Sequence, residues 1–266
     1  MSTSSKTAVV TGASSGIGAV YAQRLAARGY DLILVARRAD RLNALAEKLS
    51  TTYGRKVQVL AADLAKESDL VRVEAVLKSD ESVRMLVNNA GIARFSPFAK
   101  SSIDDSASQI ALNITALTRL ALAALPGFVG RNEGTLINIA SILAVHALPI
   151  STVYSATKAY VLQFSRGLQQ ELAGTGVKVQ AVLPAATETE IWTEDVSGVG
   201  LSALAKDTVM RVDDLVDAAL AGFDQGEAVT WPSVGDAGLW DKFEAARGAL
   251  VGATQTGTPA ARYAKA

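Results

Sequence analysis

The sequence predicts an α/β fold: a doubly wound, seven-stranded, mostly parallel sheet with helices on both faces. Two observations predict it. Short β-branched apolar runs recur at 7–11, 32–36, 57–61, 85–88, 135–140, 177–183 and 228–231. They are apolar at consecutive positions rather than alternating, the pattern of strands covered on both faces. Between them lie longer amphipathic stretches, among them 19–28, 40–52 and 69–78. Strand–helix–strand alternation implies right-handed crossovers and therefore a parallel sheet.

The length of 266 residues allows two average domains, but α/β folds often run to ~250 residues as one unit. We read one domain over 1–266. Hydrophobic residues make up 49% and charged residues 20%, which excludes disorder as the main state. Lys+Arg and Asp+Glu are both 26, so the chain offers no electrostatic footprint for nucleic acid or an anionic membrane. With no cysteine and one histidine, there is no disulfide framework or thiolate nucleophile, and no metal site is expected. The N-terminal stretch 1–6 lacks a basic region followed by an apolar one. The apolar stretch 116–129 contains Arg119 and Pro126 and reads as too short to cross a bilayer. The expectation is a soluble, cytoplasmic protein.

The first strand runs into Thr11-Gly12-Ala13-Ser14-Ser15-Gly16-Ile17-Gly18, and a helix follows. A glycine-rich turn between strand and helix lets backbone N–H groups approach a pyrophosphate at the positive helix end. Gly12 permits the tight turn, Gly16 the close approach and Gly18 the packing of helix on strand. The bland alternative is a turn that merely needs glycines. At the end of the second strand, NAD sites place an acid for the ribose 2′-hydroxyl, and NADP sites an arginine for the 2′-phosphate. Here Ala36 is followed by Arg37 and Arg38. Guanidinium forks suit phosphate, and Ser14 and Ser15 could add donors, so NADP(H) is favoured over NAD(H). Otherwise the two arginines begin a solvated helix. Asp63, after the third strand, either accepts from an adenine amine or caps a helix.

Tyr154 and Lys158 are four apart and share a helix face. A tyrosine, with a pKa of about 10, is a poor acid–base group near neutrality. A nearby ammonium is expected to lower that value. Ser141 follows the fifth strand, at the carboxyl edge where ligands bind in open parallel sheets. Asn88-Asn89-Ala90-Gly91 ends the fourth strand at the same edge. Asn113 lies in the mostly apolar helical stretch 103–125; a buried Asn must find partners, so it is structural or holds a water.

As a set, Thr11-Gly12-x-x-x-Gly16-x-Gly18, Asn88-Asn89-Ala90-Gly91, Asn113, Ser141 and Tyr154-x-x-x-Lys158 resemble the short-chain dehydrogenase/reductase family, in its simple branch, from residue 11 to about 189. The resemblance implies a single NAD(P)-binding domain of Rossmann type. It implies an oxidoreductase that interconverts a ketone or aldehyde and an alcohol. Tyr154 would be the general acid–base, Lys158 would bind the nicotinamide ribose, Ser141 would position the substrate oxygen, and Asn113 would hold a water in a relay toward Lys158. Asn88 would stabilise the sheet and, with Gly91, lie near the adenosine ribose. The family's arginine corresponds to Arg37. Ile17, Leu64, Asn89, Ala90, Pro184, Thr187 and Thr189 complete the expected cofactor contacts. The family's Pro-Gly is here Pro184-Ala185, and alanine restricts φ where glycine would not.

The stretch 187–206 breaks the strand–helix pattern and reads as a mobile substrate-binding lid. Ile142, Leu143, His146 and Trp192 are assigned to the substrate pocket, with Phe95, Phe98, Val145 and Ile150 near it; ordinary packing is the alternative for Phe95, Phe98 and Trp192. His146 equally suits a plain loop role. The helical stretches 103–125 and 152–172 are apolar on more than one face, and the family commonly pairs them across a dimer, often within a tetramer. A homo-oligomer acting on a small carbonyl or alcohol substrate follows, with neither nucleic acid nor membrane as partner. Two other classes compete: a non-catalytic NADP(H) sensor or scaffold, which would be expected to lack Tyr, Lys or Ser, and an isomerising or dehydrating enzyme with an extra substrate domain. The tail 254–266 is expected to be partly ordered at best.

Overall fold

The computed structural model describes residues 6–263. The N-terminal residues read above for targeting signals, and the last three residues of the tail, lie largely outside them. The chain divides into two compact units, the first through Pro232 and the second from Ser233.

The first unit is built on one sheet of seven strands: β1 (Thr7–Thr11), β2 (Asp31–Ala36), β3 (Val57–Ala61), β4 (Val83–Asn88), β5 (Gly134–Ile139), β6 (Val177–Val182) and β7 (Val229–Thr230). Their order is β3-β2-β1-β4-β5-β6-β7, and every pairing is parallel. The consecutive apolar positions follow from two covered faces. On one, Ala8, Val10, Leu32 and Leu34 pack with Tyr21 and Leu25 of α1 (Gly16–Ala27), Leu42 and Leu49 of α2 (Ala39–Tyr53) and Leu215 of α8 (Val212–Asp224). On the other, Val9, Ile33, Val35 and Leu86 pack with Leu70 and Val73 of α3 (Glu67–Ser79), and with residues of two helices described next.

Those helices are α5 (Leu117–Arg131) and α6 (Thr152–Glu171). Leu120 and Phe128 of α5 and Leu168 of α6 enter the second core. Before α5, α4 (Ile103–Ile110) and a π-helical turn (Ala111–Ala116) run on without a break. Ser102 caps α4, its Oγ accepting from the Asp105 N–H at 3.0 Å. Pro126 sits inside α5 rather than ending it; a proline leaves the carbonyl four residues earlier unbonded, and Leu122 there is exposed. The continuous helix has 29 residues and holds an 18-residue window of mean hydropathy 1.5, long and apolar enough by length and composition to cross a membrane. The stretch 116–129 that reads as too short is only part of it. Its apolar residues include those that cover the sheet: Ala121, Ala123, Ala124 and Phe128 are all buried.

The strand order reverses direction at β1 and β4. Crossovers leave that point in opposite senses, so a crevice opens at the carboxyl ends of these strands. In the second unit, α9 (Gly238–Ala253) carries a stacked pair, Trp240 and Phe243, with ring centroids 5.2 Å apart. Its Ala- and Gly-rich sequence hides it from a periodicity reading.

Candidate active site

The turn after β1 has Gly12 at φ +67° and Gly16 at φ +54°, a region costly for residues with a Cβ. Space adds a second constraint. A Cβ at Gly12 would lie 2.7 Å from Asn89 Nδ2, and one at Gly18 2.5 Å from the Gly12 carbonyl oxygen. Helix α1 starts at Gly16, and the residue before it, Ser15, makes no side-chain cap. Its first amides and the positive helix end therefore face the crevice.

A cross-tie between β1 and β4, absent from the sequence reading, holds this turn. The Thr11 hydroxyl donates to Val87 O at 3.1 Å and accepts from Asn89 N and Ala90 N, both at 3.0 Å. Asn89 Nδ2 donates to Thr11 O at 2.9 Å, so its amide serves the turn. Asn88 faces the core instead: it is buried and donates to Asn138 Oδ1 at 3.1 Å and Leu117 O at 3.3 Å. Its sheet role stands, but it does not turn toward the crevice.

Arg38, rather than Arg37, reaches the turn. Its guanidinium donates to Ser15 Oγ at 2.7 Å and Ser14 Oγ at 3.0 Å, while Arg37 is exposed. Successive residues of an extended stretch point in opposite directions, and sequence alone does not say which of two arginines points inward. Asp63 is no helix cap, because α3 begins at Glu67 after Lys66. It forms a local turn, Oδ1 accepting from Ala65 N at 3.2 Å. The Leu64 side chain is buried in the core, which leaves only its backbone to face a ligand.

Ser141 follows β5 and is 7% exposed. Its Oγ accepts from Leu143 N at 3.1 Å, and its side chain neighbours the Tyr154 phenol. Lys158 is 6% exposed; its Nζ donates to Ile139 O at 2.8 Å and lies 5.7 Å from the Tyr154 ring centroid. Burial pushes the Tyr154 phenol up to about 12, against a smaller lowering by the neighbouring Ser141 side chain. The expected lowering by the ammonium is not what this geometry gives, because desolvation outweighs the neighbours. Burial also brings the Lys158 ammonium down to about 8.

Asn113 sits in the π-helical turn, 1% exposed. Its Oδ1 accepts from Ile92 N at 2.9 Å, and its Nδ2 donates to Ile92 O at 2.8 Å and Thr157 Oγ1 at 3.1 Å. Thr157 in turn donates to Tyr154 O at 2.8 Å. Thr157 is a site residue that sequence reasoning missed; its only signal was its place between Tyr154 and Lys158. A Cβ on Gly91 would lie 3.1 Å from Asn113 Oδ1 and 3.6 Å from Lys158 Nζ.

Pro184 O accepts from Ile142 N at 2.9 Å. Among the described residues only Asn132 combines a side chain with positive φ, so Ala185 takes the glycine's place without backbone strain. The stretch 187–206 is folded rather than irregular: it holds α7 (Glu194–Ser197) and a 3-10 turn at Leu201–Ala203. Thr187 is buried and donates to Ala185 O at 3.0 Å. Thr189, with Ser15, Gly16, Glu188, Glu190 and Asp213, lines an open cleft of ≈ 520 Å³ beside α1. Trp192 stacks on Phe95 at 5.6 Å, and Phe95 meets the Tyr154 ring edge-on at 5.4 Å. Ile142 and Leu143 are half-buried near Ser141, while His146 and Phe98 are exposed.

The parallel sheet and its glycine turn define a doubly wound fold of Rossmann type. The short-chain dehydrogenase family model matches residues 6–199, and the chain belongs to that family. A very-long-chain 3-oxoacyl-CoA reductase from Anas platyrhynchos is 37% identical over 182 residues, covering 66% of this chain and 58% of that protein. The chain thus spans under two thirds of that relative's length. Among solved structures, a short-chain dehydrogenase from Sphingobium yanoikuyae in complex with NADPH has TM-score 0.93 and 46% identity, over 97% of this chain and 100% of that one. A bulky-bulky ketone specific alcohol dehydrogenase from Comamonas testosteroni has TM-score 0.90 and 40% identity, over 99% of this chain and 100% of that one.

The buried lysine makes stability depend on pH. An unfolded Lys158 keeps its proton to about pH 10.4, whereas the folded one loses it near 8. Between those values the unfolded chain binds more protons, so stability rises with pH. Relative to Lys158→Met, the wild type without cofactor should gain about 2 kcal/mol between pH 7.5 and 10. Urea denaturation of both proteins measures this, and a difference independent of pH would contradict it.

Proposed function

We propose that this chain is an NADP(H)-dependent oxidoreductase that interconverts a bulky ketone and its alcohol. The observation that carries the reading is Tyr154 with Ser141 and Lys158 beside it, at the strand ends that also hold the glycine turn.

The residues of the turn fit a dinucleotide. The first amides of α1 lack a side-chain cap, and a Cβ at Gly12 or Gly18 would fill the space against Asn89 or the turn itself. Gly12, Ser14, Ser15, Gly16 and Ile17 would hold the pyrophosphate side. Arg38 would take the 2′-phosphate, and Ala36 offers no acid to repel it. The S. yanoikuyae relative was solved with NADPH, which supports the same choice. Lys158 would meet the ribose beside the nicotinamide, and Thr187 and Thr189 the far side. When bound, the nicotinamide supplies or accepts a hydride at the substrate carbon.

Carbonyl reduction builds negative charge on the substrate oxygen. Ser141 and Tyr154 present two hydroxyls to one point, and donors aimed at a developing oxyanion stabilise it as it forms. Tyr154 then gives its proton to that oxygen. A phenol pushed up to about 12 keeps its proton at neutral pH until a stronger base develops beside it. Lys158, titrating near 8, is mostly charged at pH 7 and opposes the cost of the phenolate that remains. Asn113 and Thr157 position the helix turn that carries Tyr154.

The aromatic wall of Phe95 and Trp192 beside Tyr154 supports a bulky, flat substituent on the ketone, as does the likeness to the C. testosteroni enzyme. Leu122, Val129 and Tyr160, exposed on α5 and α6, support pairing of these helices in a homodimer or tetramer.

Tyr154→Phe should lower turnover at least ~10²-fold while leaving NADPH binding, followed by fluorescence, within a factor of two or so; full activity would remove Tyr154 from the chemistry. Trp192→Ala should reduce kcat/KM for an aryl ketone about three- to tenfold, the worth of one aromatic pair, and change that for 2-butanone far less. Equal losses for both ketones would speak against the wall. In sedimentation at micromolar concentration the chain should run as a dimer or larger, and a monomer there would overturn the pairing.

A further inference from the structure

The arginine assigned to the 2′-phosphate already holds an anion. Arg38 Nη1 lies 2.7 Å from Glu190 Oε2, and Arg41 pairs with the other carboxylate oxygen. The same Arg38 bonds Ser14 and Ser15 of the glycine turn. One carboxylate therefore bridges two guanidinium groups at the mouth of the dinucleotide crevice, 149 residues along the chain from the nearer arginine, Arg41. Glu190 also belongs to the substrate side. Two residues on, Trp192 stacks on Phe95, which touches Tyr154, and Phe95 N donates to Ser197 O at 2.7 Å.

We propose that Glu190 is an internal competitor for the cofactor's 2′-phosphate, which displaces it from Arg38 and Arg41 and so frees the segment carrying Trp192. The proposal rests on the NADP(H) reading above. A phosphate monoester carries about −1.5 to −2 at pH 7 and three acceptor oxygens. It can take two guanidinium forks and two serine hydroxyls together, where a carboxylate has charge −1 and two oxygens. The partners are accessible for exchange: Arg38, Arg41 and Glu190 side chains are 39%, 45% and 51% exposed. Arg41 and then Arg38 hold the Glu190 carboxyl down at about 2, so it stays an anion throughout the working range. A cofactor lacking the 2′-phosphate has nothing to offer these arginines and leaves the pair in place. Glu190 is thereby a specificity determinant. It sets a threshold that only a strong anion passes, and it links recognition of that anion to the substrate side of the crevice.

The test compares wild type with Glu190→Gln, using 2′,5′-ADP and 5′-ADP as probes. Calorimetry gives the affinities, and hydrogen exchange of peptides within 190–204 gives the state of the segment. Exposed ion pairs are individually weak, so Glu190→Gln should bind 2′,5′-ADP about three- to fivefold more tightly and 5′-ADP unchanged. In wild type, 2′,5′-ADP should raise exchange in 190–204 and 5′-ADP should not; in the variant, exchange should be raised without either. If both proteins bind 2′,5′-ADP equally and exchange is unmoved, the competition is overturned while the cofactor reading stands. If neither distinguishes 2′,5′-ADP from 5′-ADP, the cofactor reading fails and this proposal with it.

Discussion

The ammonium of Lys158 is buried against a strand-end carbonyl, and most of the site's geometry follows from where that contact can be made. A buried charge is costly unless it is partnered. Its partner is Ile139 O at the end of β5, so α6 must lie close over that strand end. Tyr154, one turn earlier on the same face of α6, is then brought beside Ser141, two residues beyond Ile139. A second anchor fixes the rotation of the helix. Asn138 Nδ2 donates to Ser165 Oγ at 2.9 Å and Asn138 Oδ1 accepts from Asn88 at 3.1 Å. Asn88 and Asn138 are register partners in the β4–β5 pair. A slip of either strand by one residue would send its amide to the other face, away from its partner. The buried polar ladder thus specifies sheet register and helix position together.

The crevice on the other side obeys a similar rule. Its walls are β1 and β4, the strands from which the crossovers diverge. Nothing in a parallel sheet ties two strands beyond their last ladder bond, so the Thr11 hydroxyl and the Asn89 amide do that work. The Asn89 amide is also among the atoms that forbid a Cβ at Gly12 and Gly18. The glycines are required by packing against this tie as much as by their dihedral angles.

What could be read from the sequence was what is local or periodic. Seven strand runs were legible because burial on both faces leaves continuous apolar stretches; spacing puts Tyr154 and Lys158 on one helix face and Ser141 after a strand, while their grouping into one site came from the family resemblance. Features that depend on distant partners were not legible. Arg37 and Arg38 look alike in sequence, and only the position of Ser14, Ser15 and Glu190 separates them. Asp63 reads as a cap or a ligand, but the helix begins four residues later. The π-helical turn that aims Asn113 at Ile92 is invisible to a 3.6-residue period. The raised phenol of Tyr154 went the other way from expectation, since spacing reveals a neighbouring charge and says nothing of how dry the neighbourhood is.

The stretch 187–206 illustrates this limit best. Its composition is mixed and its periodicity weak, so it reads as mobile. Its order comes from outside: Thr187 bridges Met210, Glu190 reaches the arginines at the start of α2, Trp192 lies on Phe95, and Ser197 O takes the Phe95 amide. Each is a single contact of modest worth, and they attach the segment to both sides of the crevice. A segment attached at both sides is placed to respond to events at either one. The charged anchor is the one most easily exchanged, since water reaches it and an incoming anion can replace it atom for atom. The aromatic anchor is apolar and yields only to a group that covers the same ring face. The two ends of the stretch therefore discriminate by different physics, charge at one and shape at the other.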